Sequence, residues 1–159
     1  MIPSYKVVLI GSTCGKSSLL KRIRENTFNP IYNKTLGVDV IPLTFNTNYG
    51  TIILKIWDCS TDNHCNHAEG AICMFDLSCM LSFDNLDVLI RRLQNIAGDI
   101  PLVICGNKCE LKNQEVNPNK MIAKDILYFN ISVKDNINCL APFLQLLRQL
   151  TGNIDLEFV

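Results

Sequence analysis

Neither sign of charge dominates this sequence, no apolar run in it is long, and nothing repeats. Its 15 Lys and Arg are matched by 15 Asp and Glu, a formal net charge of +0. With a pI of about 6.7, no general field draws the chain toward nucleic acid or an anionic lipid surface. No stretch approaches the ~20 apolar residues that a membrane helix needs. The opening "MIPSYKVVLIG" has too short an apolar segment for an export signal and reads as a first strand. The ending "NIDLEFV" holds no cysteine for prenylation, so no membrane anchor is expected. No linker or low-complexity stretch divides the 159 residues, and a single domain over 1–159 with one buried core follows.

Cysteine is not scarce. Eight are present, but Cys14, Cys73, Cys79, Cys105 and Cys139 stand in apolar or loop contexts where a reduced thiol acts as a small hydrophobe. Without an export signal, a reducing compartment is expected, the cytoplasm or the nucleus. The sequons at Asn33 and Asn130 then carry no glycan.

The order of elements is legible from periodicity. "YKVVLI" (5–10) is a continuous apolar run, as a strand buried on both faces requires. Residues 16–24 read as a helix with Leu19, Leu20 and Ile23 on one face. Two runs, 38–46 and 51–58, flank a turn at 47–50 and form a hairpin. Strands follow at 70–78, 101–108 and 126–132. Helices are expected over 83–97 and 137–150, with a turn or two of helix after Asn117-Pro118. The alternation gives a mostly parallel sheet covered by helices, with one antiparallel hairpin. Ligands bind such sheets beyond the carboxyl ends of the strands.

The candidate chemistry falls there. "GSTCGKSS" (11–18) resembles a phosphate-gripping loop, whose usual form is Gly, four residues, then Gly-Lys-Ser/Thr. Only Ser12, Thr13 and Cys14 separate Gly11 from Gly15, so the loop is one residue short. Lys16 is placed to reach outer phosphates and Ser17 to ligate Mg²⁺, with Ser18 following in the helix. Asp58 ends a strand, where its carboxylate suits the metal's water shell. Asn107-Lys108-Cys109-Glu110 ends another, and Ser132-Val133-Lys134 a third. The competing reading makes Gly11 and Gly15 turn glycines, Lys16 a solvated helix start, Thr35 a strand cap and Phe28 a core residue.

With these motifs in order, the chain resembles the Ran-type small GTPases of the Ras superfamily over essentially its whole length. "TLGVDVIPLTFNTNYG" (35–50), "KIWD" (55–58), "IPLVICGNK" (100–108) and "LEFV" (156–159) carry the likeness. It implies the α/β P-loop small-GTPase fold: a mostly parallel six-stranded sheet, one antiparallel hairpin, and helices on both faces. It also implies GTP/GDP and Mg²⁺ as ligands. Phe28 would stack beside the base, Tyr32 would cover the phosphates, and Thr35 would join Ser17 and Asp58 around the metal. Asn107 and Lys108 would support the base, Glu110 would read guanine in place of the family's Asp, and Ser132, Val133 and Lys134 would line the base pocket.

Four departures from the family pattern shape the expectation. If Ile10 filled the missing Gly position, strand 5–10 would slide by one residue and turn its side chains to opposite faces. A tighter loop is therefore expected, with one charge-assisted hydrogen bond fewer. That costs about 1.5–3 kcal/mol, or roughly ten- to a hundred-fold in affinity. Thr61 and Asp62 stand where the family has Gly and its water-orienting Gln, and the segment is shorter by about two helical turns. Hydrolysis is therefore expected to be weak or lost. Glu110 adds a methylene to the guanine reader and should weaken its preference. The family's C-terminal tail does not occur within residues 1–159, which is expected to favour binding to partners.

Cys59, His64, Cys65 and His67 are zinc-type residues, but adjacent His64 and Cys65 tend to point apart, and the spacing fits no usual ligand pair. The expectation is a monomeric Ran-like domain that binds importin-like receptors and Ran regulators, and no nucleic acid. Its rival is a nucleotide-free mimic that binds the same partners, and a third reading is an active GTPase whose water a partner positions.

Overall fold

The computed structural model describes residues 1–25, 38–59, 64–119 and 126–159. In chain order the elements are β1 (Ser4–Ile10), α1 (Lys16–Glu25), β2 (Val38–Thr47), β3 (Gly50–Cys59), β4 (Gly70–Asp76), α2 (Met80–Ala97), β5 (Leu102–Asn107), β6 (Tyr128–Asn130) and α3 (Ala141–Thr151). The six strands form one sheet in the order β2-β3-β1-β4-β5-β6. Every neighbouring pair is parallel except β2 and β3. This is the α/β P-loop small-GTPase architecture. No helix among the described residues is long and apolar enough to cross a membrane.

Parallel strands need crossovers, and the crossovers cover both faces. Hence β4, "GAICMFD", is buried at every residue. Alternation divides the strands between two cores. Val7, Leu9, Ile72, Met74 and Cys105 face Leu19 and Leu20 of α1 and Phe143, Leu146 and Leu147 of α3. Val8, Ile10, Cys73, Phe75 and Ile104 face Leu86 and Leu93 of α2. Ile10 stays in β1, opposite Cys73, so the contraction of the next loop is taken up after the strand.

Several element ends differ from the periodic reading, each for a local reason. β4 stops at Asp76, whose Oδ1 accepts from the Ser78 N–H (2.8 Å) and hydroxyl (2.6 Å) and turns the chain. α2 begins at Met80 rather than 83, because the buried Ser82 hydroxyl accepts from the Asp76 N–H at 2.9 Å and ties the first turn to the strand end. β6 is only Tyr128–Asn130, pairing with Ile104–Gly106 before the chain bends away. Ser132 and Ile137 exchange backbone hydrogen bonds of 3.0 and 2.9 Å, closing a turn with Asn136 and Asn138 left-handed. α3 therefore starts at Ala141, with Pro142 in its first turn, and not at Ile137. The short helix expected after Asn117-Pro118 falls mostly on residues 120–125, which lie outside the described residues.

After α3 the chain doubles back to the β2–β3 hairpin. Phe158 stacks on Phe45 with ring centroids 5.2 Å apart. Asn48 donates its backbone N–H to the Glu157 carbonyl (3.0 Å) and its side-chain oxygen accepts from the Glu157 N–H (2.9 Å). Arg148 of α3 donates to the Leu156 carbonyl at 2.9 Å.

Candidate nucleotide site

The carboxyl ends of β1, β3 and β5 and the loop after β6 meet at one edge of the sheet. The loop between β1 and α1 is compact because its glycines permit close approaches. A Cβ on Gly11 (φ 149°) would strike the Met74 carbonyl oxygen and lie 2.6 Å from the Cys14 Sγ. One on Gly15 (φ 94°) would lie 2.7 Å from the Asn107 Nδ2. Both approaches require the absence of a side chain. Thr13 between them is also left-handed (φ 45°), and this is how three residues close the turn. Cys14 points into the core, 1% exposed. Burial pushes its thiol up to about 12, with Lys16 opposing, so it packs as a neutral hydrophobe and is no nucleophile.

Lys16 and Ser17 open α1, and Asp58 comes alongside them because β3 pairs with β1 in a register that sets Leu9 against Asp58. The Ser17 hydroxyl donates to Asp58 Oδ2 at 2.6 Å. The Lys16 ammonium is 3.9 Å from Asp58 Oδ1, and the two side chains are 14% and 1% exposed. That Oδ1 is buried and has no hydrogen-bond partner among the described residues. A buried carboxylate oxygen without a donor is costly. A divalent cation or its bound water beside Ser17 would satisfy it, so the residues present fit Mg²⁺.

The base side is built on Asn107. Its Nδ2 donates to the Cys14 carbonyl (2.9 Å), while its Oδ1 accepts from the Lys108 N–H (2.8 Å) and the Val133 N–H (3.1 Å). One buried amide thus joins the phosphate loop to two loops of the base side. Glu110 Oε1 accepts from the Ser132 hydroxyl at 2.7 Å, and the Ser132 Oγ accepts from the Asp135 N–H at 3.0 Å. That bond anchors the Glu110 carboxylate to the loop after β6.

Two residues at this site were not singled out in the sequence. Asp76 pairs with the Lys108 ammonium at 2.7 Å, and Lys108 has left-handed backbone (φ 67°). Burial opposes ionisation of Asp76, but the hydrogen bonds from Lys108 and from Ser78 outweigh it and hold its carboxyl below the ordinary value. An acid closing the wholly apolar run "GAICMF" is the signal that could have marked it. Arg22 on α1 donates from Nε to the Val133 carbonyl (3.0 Å) and from Nη2 to the Lys134 carbonyl (2.9 Å). Nothing in the sequence separates it from its neighbours Lys21 and Arg24.

The structure brings Gly11 to Ser18, Asp58, Asn107, Lys108, Glu110 and Ser132 to Lys134 to one edge. Phe28, Tyr32, Thr35 and Asp62 lie outside the described residues. Beyond Cys59 the chain is described again from His64, which stacks on Trp57 with ring centroids 5.9 Å apart. The Lys6 ammonium lies over the Trp57 ring, 4.1 Å from its centroid, and donates to the Asn66 carbonyl at 2.6 Å. Cys65 is buried while His64 and His67 are exposed, and no three His, Cys, Asp or Glu among the described residues are grouped to hold a metal.

A parallel sheet with a glycine loop that opens a helix under a Lys-Ser-Asp cluster defines a phosphate-loop nucleotide-binding domain. Residues 6–152 match the Ras family, and the chain belongs to it. It is a small-GTPase domain of the guanine-nucleotide-binding kind, and members of the family bind GTP and GDP with Mg²⁺.

Proposed function

We propose that this chain is a Ran-like small GTPase domain that binds GTP and GDP with Mg²⁺, hydrolyses GTP weakly or not at all, and engages protein partners of the nuclear-transport type. The observation that carries the nucleotide reading is the orphaned Asp58 Oδ1 beside Lys16 and Ser17. Ser17 and Asp58 would hold the cation, which when bound neutralises phosphate charge. Lys16 would place its ammonium against the outer phosphates. Asn107 keeps the phosphate and base loops in register, and Glu110 offers the carboxylate that accepts from guanine. Weak hydrolysis rests on Asp62, an acceptor when ionised, in the place of the family's water-orienting Gln. The Ran-like partners and a cytoplasmic or nuclear location rest on the segments at 35–50, 100–108 and 156–159. Mass spectrometry of the small molecules that co-purify, followed by GDP titration with Mg²⁺, tests the reading. Guanine nucleotide near one per chain is the expected result, and no uptake at millimolar GDP would end it.

A second reading, a nucleotide-free mimic of Ran surfaces, draws on the hairpin β2–β3. It is held by the chain end through Phe158 and Asn48 with no ligand involved. Pull-down with nucleotide-stripped protein separates the two: importin-type receptors recovered without nucleotide favour the mimic.

A further inference from the structure

We infer that Arg22 is a positioning residue that sets how slowly a bound nucleotide leaves, by tying the base-side loop to the helix that starts under the phosphates. The inference rests on the nucleotide reading above and adds the residue that controls release.

α1 opens with Lys16 and Ser17 at the phosphate end, and Arg22 lies further along the same helix. Its guanidinium reaches across to two consecutive carbonyls, Val133 at 3.0 Å and Lys134 at 2.9 Å. A planar fork of donors matches two neighbouring carbonyls in a way that a point-charge ammonium does not. The Val133 peptide is therefore held from both sides, its N–H by Asn107 Oδ1 and its C=O by Arg22. Because the Asn107 amide also reaches the Cys14 carbonyl, the connections form a closed ring. It runs from the phosphate loop through Asn107 and Val133 to Arg22, and back along α1 to Lys16.

A ligand gripped by a phosphate loop at one end and a base loop at the other escapes when those loops part. Opening must break the Arg22 bonds before the ligand can leave. Differences of this kind fall on the dissociation rate far more than on the association rate. Charge-assisted bonds to main-chain carbonyls are strong enough for their loss to be measured. Arg22 is half-buried while Lys21 and Arg24 are exposed, so the three cations separate a geometric role from a general charge effect.

The experiment follows release of fluorescently labelled GDP, chased by excess GDP at saturating Mg²⁺, from the full chain and from Arg22→Ala, Arg22→Lys, Lys21→Ala and Arg24→Ala. Arg22→Ala should raise the dissociation rate roughly ten-fold and change the association rate less than about three-fold. Arg22→Lys should fall between Arg22→Ala and the unaltered chain, and the two exposed-cation variants should match the unaltered chain. Amide exchange at Val133 should quicken in nucleotide-free Arg22→Ala and not in Arg24→Ala. If Arg22→Ala does not fold, the Arg22→Lys rate and its Val133 exchange decide alone. A dissociation rate within about two-fold of the unaltered chain, or equal increases in all three alanine variants, overturns the role of Arg22. An unaltered chain that takes up no GDP overturns the nucleotide reading itself and this inference with it, an outcome visible before any variant is made.

Discussion

The base side of the site and the segment that follows Asp58 use similar interactions to opposite ends. On the base side, the bonds of Asn107, Arg22 and the Ser132–Glu110 pair all cross between elements that a nucleotide would bridge. Beyond Asp58, the bonds close on the body of the sheet. Lys6 donates its backbone N–H to Glu69 Oε2 at 2.7 Å and accepts from the Glu69 N–H at 2.8 Å, and its ammonium bonds to the Asn66 carbonyl. Cys65 and Ala68 are buried beneath α2's core, and His64 stacks on Trp57. None of these contacts reaches Lys16, Ser17 or Asp58. A network that spans two halves of a site holds a ligand, whereas one that closes on the scaffold holds only the chain. The docking of residues 64–69 on the sheet thus belongs to the scaffold, while the base-side network belongs to the candidate site.

Substitutions at the site sharpen that contrast, and Lys16→Ala should do so most. Removing the ammonium should weaken GDP binding at least about a hundred-fold by titration calorimetry. It also takes the ammonium away from the buried Asp58 carboxylate, so urea unfolding of the nucleotide-free variant is measured alongside to separate lost stability from lost grip. Near-unchanged affinity would show that the phosphate end is not gripped at all.

Asn107→Ala comes next and acts on both stability and binding. The Cys14 carbonyl and the Val133 N–H would lose their shared partner in a buried setting, at a cost of about 1–3 kcal/mol for each group left unpaired. Urea unfolding of the nucleotide-free chain should show the loss. Lys6→Ala, on the other network, should leave GDP binding alone, and a matching fall in GDP affinity would break the comparison.

Acid provides a third and milder probe. Because the folded-state pKa of Asp76 lies below its unfolded value, the pair with Lys108 adds stability that is present above the unfolded value, ~3.9. That stability is lost as pH falls from there through the lower folded value. Asp76→Asn should flatten this acid limb of the unfolding curve and lower stability near neutrality by an amount that does not vary with pH. An unchanged limb would remove Asp76 from the base-side network.

The smallest effect is expected from Trp57, the single tryptophan of the chain. In contact with both His64 and the Lys6 ammonium, it reports on the docked segment. Its emission should be the same with GDP and with a non-hydrolysable GTP analogue, and should shift in Lys6→Ala. A clear change between the two nucleotides would show that 64–69 still responds to the third phosphate.

Much of this was legible in the sequence because burial on two faces leaves a plain mark. The runs "VVLI", "GAICMF" and "LVICG" could be placed as strands, and the motifs at their ends fell together once the sheet closed. The short loop could be recognised as tight from Gly11 and Gly15, and the inward turn of Cys14 is consistent with its apolar character. Element ends were less legible, since they depend on polar partners distant in sequence. Ser82 extends α2 backward to Met80, and the Ser132–Ile137 turn delays α3 to Ala141. Arg22 was illegible for the same reason: its importance lies in carbonyls more than a hundred residues away, and carbonyls carry no sequence signature.

The return of the chain end to the hairpin bears on movement far from where it is made. β2 and β3 are paired from Val38–Cys59 to Thr47–Gly50, so any slip of one strand along the other must be felt along the whole ladder. Phe158 and Glu157 rivet the tip of that ladder to the body of the domain. Asp58 sits near its opposite extremity. A fastening at one end of the ribbon thus limits how far the Asp58 carboxylate at the other can travel.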